Sequence, residues 1–335
     1  MKSSRGYFGV DRFSHIYVEE RAFEYDTTAI VLKRFKDANI IPISHYKNVF
    51  NRPRQNFWLQ KDHPNIILAV KDEPFLYKGP DICENFGNRH FYYASTILNC
   101  IYDCHYCYLQ GMYQSANIVI FVNIEDFFEA VDRELSFLGS MYLCTSYDTD
   151  LLALEGILPY SRKWIEFAGR REDLLMEIRT KSSNYERIRD LAPHPNVILA
   201  WTLSPNEIIQ AYEKGTPSLD ARIRAIHRAI YDGWKVRLSL EPIIEVKDWE
   251  QIYISFIDTI CTLLPMDRIY DVNIGVFRMN KEYFKRISKN RLDTDIFSYP
   301  VEMGDGVVCY GDEGNMKEVV ARELFKYLPG RKIYI

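Results

Sequence analysis

The sequence predicts an α/β chain built on a partial (β/α)6 barrel of the TIM type, with a small N-terminal αβ cap and a C-terminal hairpin-plus-helix extension. Three observations carry this. The 335 residues are 47 % hydrophobic and 26 % charged, a globular composition that excludes a disordered or collagen-like chain. From about residue 91, short β-branched or aromatic runs alternate with amphipathic stretches, the pattern of βαβ units and a parallel sheet. Some six such units are too few for an eightfold barrel and enough for an open one, whose chemistry gathers at the carboxyl ends of its strands.

Residues 1–89 are read as the cap, with elements at Ile16–Val18, Ile30–Arg34 and Ile66–Val70 and a polar loop at Asn51–Asn56. The barrel is placed at 90–291. Its strands are predicted at His90–Leu98, Asn117–Asn123, Met141–Thr145, Met176–Thr180, Val197–Leu203, Lys235–Glu241 and Tyr270–Phe277. Between them, Glu125–Leu138 puts Phe127, Phe128, Val131, Leu135 and Leu138 on one helical face. Ser218–Tyr231 opens on an N-cap serine, repeats Leu219, Ile223, Ile226 and Ile230, and stops at Gly233. Asp248–Leu264 is a third helix. Residues 292–335 turn Gly- and Asp-rich around Gly304-Asp305-Gly306 before a last helix near Met316–Leu328, and are expected to fold over the barrel mouth.

Lys plus Arg number 42 against 46 Asp plus Glu, for a net charge of −4. A protein that grips nucleic acid with its whole surface is usually basic, so any such contact here is a local patch. Candidates are the run Lys281, Lys285, Arg286, Lys289 and Arg291 and the pairs Arg52/Arg54 and Arg170/Arg171, although a charge run is more often a solvated face. No apolar run approaches membrane-spanning length, and the N-terminal stretch has no apolar leader. The expectation is a soluble, cytoplasmic monomer with no membrane partner. Seven cysteines at uneven spacing argue for metal or thiol chemistry over a disulfide framework.

Three of them form Cys100-Ile-Tyr-Asp-Cys104-His-Tyr-Cys107, a C-x3-C-x2-C run just after a predicted strand. Three thiolates in one loop suit a [4Fe–4S] cube, which takes one cysteine per iron and would here keep one iron open. A structural zinc site normally uses four ligands in two paired halves. Its fourth ligand would have to be His105, His90 or Cys83, without a second CxxC. Buried thiols with no ligand at all are the blandest alternative.

The Tyr106-Cys107 step within this run resembles the signature of radical S-adenosylmethionine (SAM) enzymes. The wider Cys104-His-Tyr-Cys107-Tyr-Leu-Gln110 resembles the spore photoproduct lyase family, as do Phe121–Asp126, Cys144-Thr-Ser146, Thr180-Lys181, Glu213–Ser218 and Pro242-Ile243. The resemblance implies a cluster on Cys100, Cys104 and Cys107 that binds SAM and releases a 5′-deoxyadenosyl radical, which opens a methyl-linked thymine dimer in DNA. It implies Cys144 as hydrogen donor to the thymine radical, and Tyr106 and Tyr108 as the relay back towards SAM. Lys181 would neutralise the SAM carboxylate, with Thr202, Ser204 and Tyr106 lining the cofactor. Tyr310, Glu241 and Arg278 would meet substrate, and a flavodoxin or ferredoxin would supply electrons. Read on position alone, Cys144 is equally a small core residue, Lys181 a solvated surface lysine, and Thr202 and Ser204 helix caps.

The chain departs from the family in two places. Glu241 stands where the lyases usually carry a small residue. The stretch Pro300–Gly311 keeps a Gly-x-Gly and Tyr310, but Glu302, Asp305 and Val307 replace the cations of the family's DNA-wedging hairpin, and carboxylates repel a phosphate backbone. Cys309 has no counterpart and is read as inert; Cys83 and Cys261 lie outside any motif. A radical enzyme acting on a non-DNA substrate and a non-catalytic zinc- or nucleic-acid-binding protein therefore remain alternatives. Isolation without oxygen separates these readings: a cluster protein is brown and a zinc protein colourless. Salt-dependent binding to duplex DNA separates the DNA enzyme from a radical enzyme acting on another substrate.

Overall fold

The computed structural model describes residues 13–335; the N-terminal stretch read above for a leader lies almost wholly outside them. In chain order the strands are β1 (His15–Glu19), β2 (Asn39–Ile43), β3 (Ile66–Ala69), β4 (Leu76–Lys78), β5 (Phe91–Ala94), β6 (Ile97–Leu98), β7 (Asp103–Cys104) and β8 (Ile118–Phe121). They continue as β9 (Met141–Cys144), β10 (Leu174–Thr180), β11 (Val197–Thr202), β12 (Glu213–Lys214), β13 (Lys235–Ile243) and β14 (Asp271–Val276). The chain ends with β15 (Arg278–Asn280), β16 (Val301–Gly304), β17 (Val307–Tyr310) and β18 (Ile333–Tyr334).

The larger sheet runs β18-β14-β13-β11-β10-β9-β5-β4. Neighbours from β5 to β18 pair in parallel and β4 is antiparallel. This is the open partial barrel expected, but its strands are not quite those expected. The single predicted strand His90–Leu98 is two, divided where the Ser95 hydroxyl donates to Asp148 Oδ2 at 2.5 Å. Its second half, β6, leaves the barrel and pairs with β8. Asn117–Asn123, also counted for the barrel, supplies β8, which lies parallel to β3 in the cap sheet β2-β1-β3-β8-β6. Ile-Val-Ile-Phe in β8 and Ile-Ile-Leu-Ala in β3 are buried throughout. Such all-apolar strands fit any sheet covered on both faces, so the pattern does not say which one they join.

The predicted helices stand at Ile124–Leu138, Leu219–Tyr231, Trp249–Leu263 and Glu313–Leu324. Ser218 caps the second, accepting from the Ala221 amide at 3.3 Å, and Gly139, at φ 76°, ends the first. The C-terminal hairpin exists: β16 and β17 pair antiparallel with β15 alongside. Gly304 faces Val307 in this register, leaving Asp305-Gly306 as a two-residue turn. Both have positive φ, 45° and 77°, as a type I′ turn requires.

Alternate residues of the barrel strands face the lumen, and there the core is ionic. Arg237 donates to both Asp271 oxygens at 2.5 and 2.7 Å, and to Glu177 Oε2 at 2.5 Å. The Tyr142 hydroxyl accepts from Arg237 at 2.9 Å and donates to Glu177 at 2.7 Å. The guanidinium lies 3.3 Å from the Phe86 ring centroid. Burial pushes the Glu177 carboxyl up, but Arg179 and Arg237 outweigh it and bring it down to about 2. Removing one partner leaves an uncompensated buried charge, so Arg237→Ala is expected to lower stability by about 3–5 kcal/mol, read from urea denaturation.

Candidate active site

The three-cysteine loop leaves the barrel sheet through β5 and β6. Asn99 begins it at φ 68°, a left-handed conformation that asparagine tolerates better than most residues. Its side-chain amide donates to the Ser115 and Asn117 carbonyls at 2.7 and 2.8 Å. Farther on, β7 pairs antiparallel with β12, so Cys104 faces Glu213 across the ladder. Arg291 holds the loop from below: it is bidentate to Asp103 at 2.7 and 2.8 Å and donates to Gln110 Oε1 at 2.6 Å. Gln110 in turn donates to the Cys104 carbonyl at 2.5 Å.

Burial pushes all three thiols up, Cys100 to about 11. Cys100 senses the charge of Cys107 and Cys104 that of both others, while Lys61 and Lys181 stand close enough to oppose that repulsion. Mutually coupled thiols with two ammonium groups nearby fit an anionic, thiolate-bound cluster. Among the described residues no three His, Cys, Asp or Glu side chains gather around one metal-sized point, whereas a cube takes each thiolate on a separate iron. The partners considered for zinc stand apart. His105 turns towards Tyr212 and Asp293, and the Cys83 sulfur lies 3.7 Å from the Tyr147 hydroxyl.

Cys144 closes β9, with Glu177 beside it in register and Tyr93 on the other side. It is buried, and burial together with the Glu177 carboxylate pushes its thiol up to about 12. Sγ therefore keeps its hydrogen at neutral pH. On β10, Glu177 and Arg179 follow at two-residue spacing up the lumen face, and Lys181 comes just past the strand's end. Arg179 donates to Glu177 Oε1 at 3.0 Å and to Glu241 Oε2 at 3.2 Å. Glu241 also accepts from Asn273 at 2.8 Å and lies 3.5 Å from Arg278. Glu241 and Arg278 thus meet at the barrel mouth.

The remaining expectations divide. Tyr106 is buried and its hydroxyl donates to Glu213, while the Lys181 ammonium sits 5.5 Å from its ring centroid. Tyr108 goes the other way, donating to the Tyr147 carbonyl at 2.7 Å in the loop after Cys144. Ser204 donates to Glu213 at 3.0 Å, and the Thr202 carbonyl accepts from Arg222 at 3.1 Å. Neither caps the next helix, whose N-cap is Pro205. Tyr310 is a correction: it is 1 % exposed, packs on Phe277 and donates to the Ile296 carbonyl at 3.4 Å. It belongs to the core under the hairpin, because β17 turns it inward. Arg291 likewise leaves the proposed phosphate-binding run, being buried against Asp103.

The family model for spore photoproduct lyase matches residues 90–322. The chain belongs to the spore photoproduct lyase family. The lyase of Bacillus subtilis (strain 168) is 23 % identical over 337 residues, covering 95 % of this chain and 96 % of its own. That of Geobacillus sp. (strain Y412MC61) is 24 % identical, covering 70 % and 73 %. Among solved structures, a spore photoproduct lyase complexed with dinucleoside spore photoproduct superposes with TM-score 0.82 at 18 % identity, covering 97 % of this chain and 98 % of that one. A variant with bound AdoMet and dinucleoside spore photoproduct gives TM-score 0.81 at 19 % identity, covering 96 % and 97 %. These likenesses fix the fold.

Within this family member, sequence reasoning missed the residues that hold the loop. Arg222 is fully buried, and its guanidinium pairs with Glu213 and donates to the Pro217 carbonyl at 3.0 Å. Burial raises the Glu213 carboxyl, but Arg222 and Lys181 bring it down to about 2. A clue was available: Arg222 falls on the apolar face set by Leu219, Ile223 and Ile226, where a cation needs a buried carboxylate. Arg291 and Asp103 had no such clue, being 188 residues apart. For Cys144, a thiol titrating near 12 and nearly closed to solvent is expected to resist iodoacetamide from pH 7 to about 10 in the folded protein, and to label promptly in urea. Peptide mass spectrometry reads both.

Proposed function

We propose that this chain is a spore photoproduct lyase, a radical SAM enzyme that restores thymines from a methyl-linked dimer in DNA. One observation supports the reading: β5, which leads through β6 into the three-cysteine loop, and β9, which ends on Cys144, are adjacent parallel strands that run to the same edge of the barrel sheet. Cys100, Cys104 and Cys107 would hold a [4Fe–4S] cluster, with Lys181 beside the position of the SAM carboxylate. Such a cluster, when bound, would supply the electron for reductive cleavage of SAM and so the radical chemistry that starts on the lesion.

The chain's own residues do the rest. Cys144 holds a hydrogen at Sγ because burial keeps the thiol protonated. Giving it up breaks the S–H bond, forms a C–H bond on the thymine and leaves a thiyl radical. Tyr108 is the nearer candidate to return a hydrogen, since its hydroxyl bonds to the loop that follows Cys144. Tyr106 is tied to Glu213 and serves to order the cofactor side. The Arg237 network closes the lumen from below and excludes water from the radical.

One feature favours a substrate other than duplex DNA. Glu302 and Asp305 are exposed on the hairpin, where carboxylates oppose phosphate. On the same side, Lys281, Lys285, Arg286 and Lys289 lie along the helix Lys281–Asn290 next to β15; these cations are the available backbone contacts.

The test is anaerobic reconstitution with iron and sulfide, then SAM, reductant and an oligonucleotide carrying the spore photoproduct. Wild type is expected to be brown, to release 5′-deoxyadenosine and to restore thymine. SAM cleavage with the lesion untouched would select the other substrate class. Cys144→Ala should still consume SAM and the lesion but lose the clean thymine product; the same product as wild type would remove Cys144 from the mechanism. Cys104→Ala should lose both colour and SAM cleavage.

A further inference from the structure

The mouth of the barrel holds a group that the radical chemistry does not use. Glu241 stands on β13 between two arginines from different elements. Arg179 of β10 donates to Oε2 at 3.2 Å. Arg278 of β15 lies 3.5 Å from Oε1. Asn273 donates to Oε2 from beneath at 2.8 Å. The carboxylate packs so closely on Gly275 that a Cβ there would come within 2.7 Å of Oε1. Oε2 therefore has its partners, while Oε1 has only the long contact to Arg278 and spare accepting capacity.

Burial separates this group from the ions below it. The side chains of Arg179, Glu241 and Arg278 are 30 %, 24 % and 26 % exposed. Glu177 and Arg237 are 1 % and 2 % exposed. The lower pair is structural; the upper three can be reached from the mouth. Arg179 bonds Glu177 at 3.0 Å, and Glu177 stands beside Cys144 in register, so the trio and the thiol share one face of the barrel sheet. An acceptor flanked by two donors is the complement of a thymine imide, which offers carbonyl, N3–H and carbonyl in a row. A base taken out of the helix is commonly read by hydrogen bonds to this edge. A dimer joined through a methyl carbon leaves both imides intact.

We propose that Glu241, held between Arg179 and Arg278, reads the imide edge of a lesion thymine, its Oε1 accepting from N3–H while the arginines donate to the flanking carbonyls. The inference rests on the lyase reading and adds how the base is recognised. It also gives the acidic residue at this position a positive role, where a small residue would leave N3–H to water.

The test is equilibrium binding, without turnover, to the reconstituted protein with SAM and no reductant. The ligands are dinucleoside spore photoproduct and its counterpart methylated at both N3 atoms. Wild type is expected to prefer the unmethylated ligand by about tenfold or more, the worth of a charge-assisted hydrogen bond in a partly dry site. In Glu241→Ala that preference should fall to near unity. Gly275→Ala, which displaces the carboxylate without deleting it, should reduce it as well and stands in if the first variant does not fold. Equal binding of the two ligands by wild type, or a preference that survives in both variants, would overturn the inference and leave the lyase reading intact. A wild type that binds neither ligand would overturn both.

Discussion

The buried ion network of the lumen is the constraint on which the rest depends. At the floor of the open barrel Arg237, Glu177, Asp271 and Tyr142 fill the lumen with hydrogen-bonded charge. Such a network costs desolvation and is tolerated only when every member is satisfied. Its members come from β9, β10, β13 and β14, so it also fixes the relative height of those strands. Cys144 and Arg179 each sit one lumen position above Tyr142 and Glu177, and they inherit that height.

The cofactor side is held by a second set of ions built on the same logic. Glu213 gathers Arg222, Tyr106 and Ser204, and it pairs across a two-residue ladder with Cys104. Arg291 reaches the loop from the far end of the barrel sequence and pins Asp103. A loop with three clustered thiols has little reason to keep one shape by itself. Two buried salt bridges from remote elements supply that shape in advance, so that ligand binding need not also order the chain.

How much of this was readable in the sequence depends on the range of the interaction. The cysteine run, the helix at Leu219–Tyr231 with its Ser218 cap, and the Asp305-Gly306 turn are local patterns, and each was legible. The assignment of β8 to the cap sheet was not, because four buried apolar residues carry no label for their partner. Tyr310 was misjudged because one residue of register decides which face of a hairpin a side chain takes. The pairing of Arg291 with Asp103 had no sequence trace at all. Glu241 was visible as an anomaly, but its neighbours Arg179, Asn273 and Arg278 come from three separate elements.

The path of β6 and β8 has a further consequence. The chain builds three strands of the cap sheet, enters the barrel sheet with β4 and β5, returns to the cap for β6 and β8, and only then completes the barrel. The cysteine loop lies on that return trip, between β6 and β8. The two layers are thus stitched together rather than joined end to end, and a cut near residue 90 would take two strands from the cap sheet. Modules of this kind do not exchange freely between proteins: a lineage can alter the barrel mouth residue by residue, but it must inherit cap, loop and barrel as one piece.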